Sequence, residues 1–203
     1  MAKVQVDFKM LRYPLPITLV GAAVEGKPNF LTIGYFAILS HLPPIVSVSL
    51  YKNHYTIKGI KETGAYSVNF PSANMVKKTD YCGIVSGRKV DKSNLFKSFY
   101  GQLNTAPMIE ECPLNFECKL FQTIEAGNNI IFLGEVVSVY ANEEILNEGV
   151  PDILAIDPLV LFGSVYHSWN FGPEIGRAYR IGKKLKESVS LKEHDIPKDT
   201  ISL

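Results

Sequence analysis

The chain has 203 residues, 46% of them apolar, and 21 Lys plus Arg against 20 Asp plus Glu leave a formal charge of +1. That length and apolar share suit one globular domain with a full core and argue against a disordered chain. A near-zero charge gives no global field for nucleic acid or an acidic membrane surface, so partners must be recognised locally.

The opening stretch, MAKVQVDFKMLRYPLP, lacks the continuous apolar centre of a signal peptide. No later apolar run is long enough to cross a bilayer without interruption. A cytoplasmic protein with no membrane partner is therefore expected. Cys82, Cys112 and Cys118 are odd in number and form no C-x-x-C pair, which suits reduced thiols.

Ile17 to Val24 and Phe30 to Leu39 are apolar runs around the turn signal Glu25-Gly26-Lys27-Pro28, and they predict a hairpin. Pro43 and Pro44 cannot donate ladder hydrogen bonds and can only introduce the next strand. In that strand Val46, Val48 and Leu50 share one face, and Ser47, Ser49 and Tyr51 share the other. Thr56 reads as the N-cap of a short helix with Ile57 and Ile60 as its apolar stripe and Gly64 as its left-handed terminator. Ala65 to Phe70 returns to strand, Ser72 can cap a second helix towards Cys82-Gly83, and Ser86 to Asn94 is polar and turn-rich.

Asn115 to Ile124 and Ile130 to Tyr140 predict two strands around Ala126-Gly127-Asn128-Asn129, and Pro158 to Val165 predicts a further one. Six or more strands with two or three short helices point to a mainly antiparallel closed sheet, because closure removes exposed edges. Residues 1–176 read as one domain, and the polar, charged residues 177–203 as a surface tail.

The junction after the Ser47–Tyr51 strand has a specific chemistry. A helix start offers unpaired N–H groups and a positive dipole end, so a phosphate placed before Thr56 would meet the Thr56 hydroxyl, Asn53, His54 and Lys52. Spacing alone favours reading the same residues as a helix cap and a solvated loop.

The chain resembles the flavin reductase-like proteins with an FMN-binding split β-barrel, in the branch that includes flavoredoxin, over roughly Tyr13 to Trp169. The resemblance rests on Asn29-Phe30-Leu31-Thr32, on Ser40-His41-Leu42-Pro43-Pro44 with Val46-Ser47-Val48-Ser49, on Thr56, on Tyr66-Ser67-Val68-Asn69, and on Ser86-Gly87-Arg88-Lys89-Val90-Asp91-Lys92.

It implies a homodimer with FMN near the interface, the phosphate gripped by Lys52, Asn53, His54 and Thr56; family members often carry serines where Asn53 and His54 stand. Thr32, Ile33, Gly34 and Tyr35 would supply one strand along the flavin ring, and Ser47, Val48, Ser49 and Leu50 the next. Ser86 and Lys92 would belong to a loop over the cofactor, with Lys92 favouring electron density near the pyrimidine ring, and Cys82-Gly83 would add backbone contacts. Tyr166 or His167 would touch the ring, or form part of a dimer-interface patch together with Trp169.

The implied activity is hydride transfer from NAD(P)H to FMN, with electrons passing on to free flavin or a redox-protein acceptor. Two alternatives stay open: a non-enzymatic FMN electron carrier, and a related barrel that has lost flavin. No catalytic side-chain constellation is needed or evident, because the cofactor carries the chemistry. His41, His54, His167 and His194 show no metal-ligand spacing, and G-x-G-x-x-G, G-x-x-x-x-G-K-[ST] and G-x-S-x-G are absent.

Overall fold

The computed structural model describes residues 2–5, 7, 13–169, 175 and 178. The expected tail, residues 177–203, lies outside the described residues except for Ala178. The chain runs through β1 (Leu15–Pro16), β2 (Thr18–Val24), β3 (Lys27–Ile33), β4 (Phe36–His41), β5 (Pro44–Tyr51), α1 (Thr56–Thr63) and β6 (Ala65–Phe70). A 3-10 turn at Ala73–Met75 leads into α2 (Val76–Ile84), followed by β7 (Ser98–Phe99), β8 (Met108–Ile109) and the long hairpin of β9 (Leu114–Ala126) and β10 (Asn129–Ala141). The remaining elements are β11 (Leu146–Asn147), β12 (Val150–Pro151), α3 (Ile153–Ile156), β13 (Leu159–Phe162) and β14 (Val165–Ser168).

The fold is mainly β with a few short helices, as expected. Its centre is an antiparallel sheet in the order β3-β2-β6-β9-β10-β5-β4, and β1-β13-β14 form a smaller sheet. The expected single run from Phe30 to Leu39 is broken at Gly34-Tyr35: β3 pairs with β2, while β4 pairs with β5 at the opposite end of the sheet. Three peptide links, Ile33 to Phe36, span at most about 11 Å. A flat seven-stranded sheet would hold its edges about 29 Å apart. The sheet must therefore roll upon itself, although β3 and β4 are not hydrogen-bonded neighbours, so the expected closure is a split seam rather than a continuous ladder. Gly34 and Tyr35 sit at that seam.

β5 shows why alternation was a sound guide. Val46, Val48 and Leu50 are buried and pack in a core with Val20, Leu31, Ile60, Val68 and Phe132, while Ser47 and Ser49 stay half-buried on the other face. A second cluster, with Leu19, Phe30, Met75, Cys82, Phe96, Ile109 and Cys112, gathers residues of β2, β3, the 3-10 turn, α2 and β8 with those of the loops on either side of the β7–β8 pair. α1 lies so close to β2 that a Cβ on Gly59 would collide with Ala23 O and lie 2.8 Å from Val24 Cγ2. Gly64 ends α1 in the left-handed region (φ 65°) with its N–H donating to Ile60 O, as its position predicts.

The Tyr66-Ser67-Val68-Asn69 motif is structural. Buried Asn69 donates to Leu19 O (2.8 Å) and Ser67 Oγ (2.9 Å) and accepts from Ile109 N–H (3.0 Å) and Asn115 Nδ2 (2.8 Å), satisfying its amide group with four bonds. Cys82, Cys112 and Cys118 are all buried and free. Among the described residues no helix is long and apolar enough to cross a membrane.

Candidate functional site

β5 ends at Tyr51, where the His54 N–H donates to Tyr51 O (2.9 Å) and tightens the turn into α1. The expected cap is displaced by one residue. Tyr55 holds the cap position without a side-chain cap, and Thr56 is the first helical residue. The Thr56 hydroxyl instead accepts from Asn29 Nδ2 at 2.8 Å, across from β3, and the two residues are 1% and 5% exposed. Gly87 closes over this pair: a Cβ there would overlap Asn29 Oδ1 and approach the Tyr55 ring to 2.7 Å. Beside them opens a cavity of about 310 Å³ lined by Asn29, Tyr55, Gly87, Arg88, Asp91 and Lys92, among others.

Lys92 is the unexpected feature of this corner. It stands in the polar, turn-rich stretch Ser86 to Asn94, yet it is 3% exposed, with Nζ donating to Phe30 O (2.8 Å) and Cys82 O (3.0 Å). Burial pulls its pKa below the ordinary 10.5. Its neighbour Asp91 does not neutralise it. The Asp91 carboxylate accepts from the Ser93 N–H (2.8 Å) and pairs with Lys27 (3.0 Å), and these contacts hold its pKa far below the ordinary 3.8. An ammonium buried among neutral carbonyls is an arrangement proteins avoid unless an anion joins it.

The other expected phosphate contacts differ among themselves. Lys52 is exposed and paired with Glu125 at 2.8 Å, and Asn53 is exposed. His54 is half-buried, edge-on to Tyr51 with ring centroids 5.9 Å apart, and its Nδ1 is enclosed with no hydrogen-bond partner. Burial first and the Lys92 charge second push its pKa below 6.5.

A second cavity of about 300 Å³, walled by Pro14, Gly34, Tyr35, Ser47, Ser49 and Ile131 among others, lies at the seam. Ser49 donates its N–H to Tyr35 O (3.0 Å), and its hydroxyl accepts from Asn129 Nδ2 (3.0 Å), which fixes the polar face of β5 against β10. A Cβ on Gly34 would make ordinary contact with the Leu15 side chain (3.4 Å), so the β1 segment does not by itself require glycine there. Ile33, Val48 and Leu50, also expected here, turn their side chains into the core and can offer a ligand only backbone atoms.

α2 links these regions. The Thr32 hydroxyl donates to Thr79 O, and Gly83 faces Thr32, where a Cβ would lie 3.4 Å from Thr32 Cβ. Cys82 is 0% exposed, its thiol pushed up to about 11 by burial; its carbonyl, not its sulfur, meets Lys92. Ser86 is exposed, with its hydroxyl accepting from the Arg88 N–H at 3.3 Å. Tyr166 donates to Asp80 on α2 (3.0 Å), and burial with that contact pushes its phenol up to about 12. His167, next along β14, is exposed. Among the described residues no group of three His, Cys, Asp or Glu side chains gathers as metal ligands do.

Asn29 and Gly87 are the residues that sequence reasoning passed over. Both stand inside quoted motifs, but only the fold sets Asn29 of β3 against the start of α1 and lays Gly87 over both.

Residues 10–170 match the family model described as a flavin reductase like domain, and the chain belongs to that family. Its structure is similar to the crystal structure of flavoredoxin from Methanosarcina acetivorans (47% identity, TM-score 0.86, covering 91% of this chain and 100% of that one). Flavoredoxin of Desulfovibrio vulgaris (Miyazaki F) is also similar (33% identity, TM-score 0.81, 89% and 100%). So is an FMN-binding protein from Thermus thermophilus (27% identity, TM-score 0.72, 85% and 98%). Fold and family together define a flavin-related redox protein with a split β-barrel.

Proposed function

We propose that this chain binds FMN and acts as an NAD(P)H:flavin oxidoreductase, taking hydride from a reduced nicotinamide and passing electrons to free flavin or a redox partner. The observation that carries the reading is buried Lys92, a cation with no carboxylate, lining one cavity with Tyr55 at the head of α1 and acting by its charge on His54, whose enclosed Nδ1 has no partner. These groups fit a phosphate. His54 and Thr56 would hold it together with Lys92, here set at the phosphate instead of at the pyrimidine ring that the resemblance implies, with Lys52 and Asn53 at its exposed side. The Ile57 and Lys58 amides already donate to His54 O and Tyr55 O.

Gly34, Tyr35, Ser47 and Ser49 would border the ring at the seam. Thr32, Ile33, Val48, Leu50, Cys82 and Gly83 would contribute backbone around it, and Ser86, Tyr166 and His167 would flank it. Bound FMN would supply the hydride-accepting centre. The protein's part is orientation and charge: Lys92 stays fixed by two carbonyls, and Tyr166 fixes α2 through Asp80.

The edge strand β4 presents Ile38, Leu39 and nearby Leu42 at 56%, 54% and 92% exposure, beside Tyr35 at 58%. An apolar sheet edge of this kind requires a cover, and a second copy of the chain provides one, so the proposed unit is a homodimer with FMN near the interface. The proposed domain is residues 1–176 with 177–203 as a tail. A cytoplasmic location suits its three free thiols.

The purified protein is expected to be yellow and to bleach rapidly in anaerobic stopped flow with NADH or NADPH. The 47% identity to a flavoredoxin favours a second reading, an FMN electron carrier. Slow bleaching by both nucleotides with ready reduction by a ferredoxin-like donor would select the carrier. A colourless protein that does not take up added FMN would refute both.

A further inference from the structure

Around His54 positive side chains outnumber negative ones. From β5 and the turn after it, the Tyr51 ring meets His54 edge-on, and Lys52 is paired with Glu125 of β9. From α1, Lys58 is paired with Glu25 of the β2–β3 turn and lies 3.8 Å from Glu62. From the loop after α2 come exposed Arg88, then Asp91, which is bound to Lys27 and Ser93, and Lys92. Each of these carboxylates faces a lysine, with Glu25 and Glu62 sharing Lys58. Lys92 is the buried cation among them, it meets only carbonyls, and its charge acts on the His54 ring.

A neutral imidazole tolerates that neighbour; an imidazolium would not. A phosphate monoester brings roughly −1.5 to −2 charges at pH 7 and reverses the local sign. The enclosed Nδ1 has no protein partner to give up, and both nitrogens of an imidazolium are donors. Resting on the phosphate site assigned under Proposed function, we propose that His54 takes one proton from solvent when the FMN phosphate settles against Lys92 and the start of α1. Flavin binding is then proton-coupled, and FMN is discriminated from riboflavin more strongly as the pH falls towards neutrality.

Calorimetric titration of FMN into the flavin-stripped protein, in two buffers of different ionisation enthalpy at pH 7.5, measures the coupling. The phosphate is already almost fully ionised there, since its second pKa is about 6. The expected result is uptake approaching one proton, and an FMN dissociation constant that weakens by up to about tenfold between pH 7 and 8. Riboflavin should bind without uptake. His54→Gln should still bind FMN, more weakly, with no uptake and a flat pH profile. Tight wild-type binding without uptake, or the same uptake in His54→Gln, overturns the coupling and leaves the site reading intact. No FMN binding by the wild type overturns both.

Discussion

Replacing Thr56 by valine keeps the side chain's shape and removes its hydroxyl, which separates two jobs of one atom. In the folded chain Thr56 Oγ1 is the acceptor for Asn29 Nδ2 at 2.8 Å, with both residues at least nineteen-twentieths buried (1% and 5% exposed). Valine leaves the Asn29 amide hydrogens enclosed without that acceptor, a desolvation cost of about 1–3 kcal/mol. For a chain of this size that lowers Tm by roughly 2–12 °C.

Because the oxygen accepts from Asn29, its own hydrogen is left to donate to an anion. Losing a hydrogen bond to a charged group of about 1.5–3 kcal/mol should weaken FMN binding by roughly 10- to 150-fold, and riboflavin, which has no phosphate, should be unaffected. Urea denaturation of the flavin-free protein and quenching of flavin fluorescence measure the two effects. Asn29→Ala combined with Thr56→Val should cost less than the two changes summed, by about 0.5–1.5 kcal/mol, as expected for one shared hydrogen bond. If stability drops but the FMN-to-riboflavin preference is unchanged, Thr56 is a structural partner of Asn29 alone and the phosphate site is misplaced.

Other outcomes can be checked with the same material. Lys92→Met removes the buried cation and should weaken FMN at least tenfold while changing apoprotein stability little, since loss of two carbonyl contacts is offset by relief from burying a charge; equal FMN affinity would refute its role. Gly87→Ala forces the loop off Asn29 and Tyr55 and should reduce FMN affinity more than Tm, as seen in parallel titration and melting curves. The lowered pKa of His54 means that the unfolded chain binds its proton first as pH falls below 6.5. Flavin-free protein should therefore lose stability from about pH 6.5 downwards through the folded-state pKa, and His54→Gln should flatten that part of the urea-midpoint profile. Leu39→Lys should convert a dimer to monomer in analytical ultracentrifugation if β4 is the interface.

What the sequence determined by itself is what local chemistry governs. The alternation of Ser47 to Leu50 specified which side of β5 is core, because side chains on a strand alternate by necessity. Gly64 specified the end of α1, because few residues accept a left-handed backbone. The β9–β10 hairpin followed from two apolar runs around Gly127-Asn128.

Tertiary structure decided everything that joins distant segments. Nothing local in Phe30 to Leu39 shows that β3 and β4 stand at opposite ends of a rolled sheet, for that follows from which partners each strand finds. Thr56 looked like a cap until the fold brought Asn29 to its hydroxyl from 27 residues away. Lys92 reads as a surface charge in any window of sequence, and only the meeting of Phe30 O and Cys82 O, 62 and 10 residues distant, draws it inside. A buried charge costs free energy that only long-range packing can impose, and its position is therefore visible only once the chain has folded.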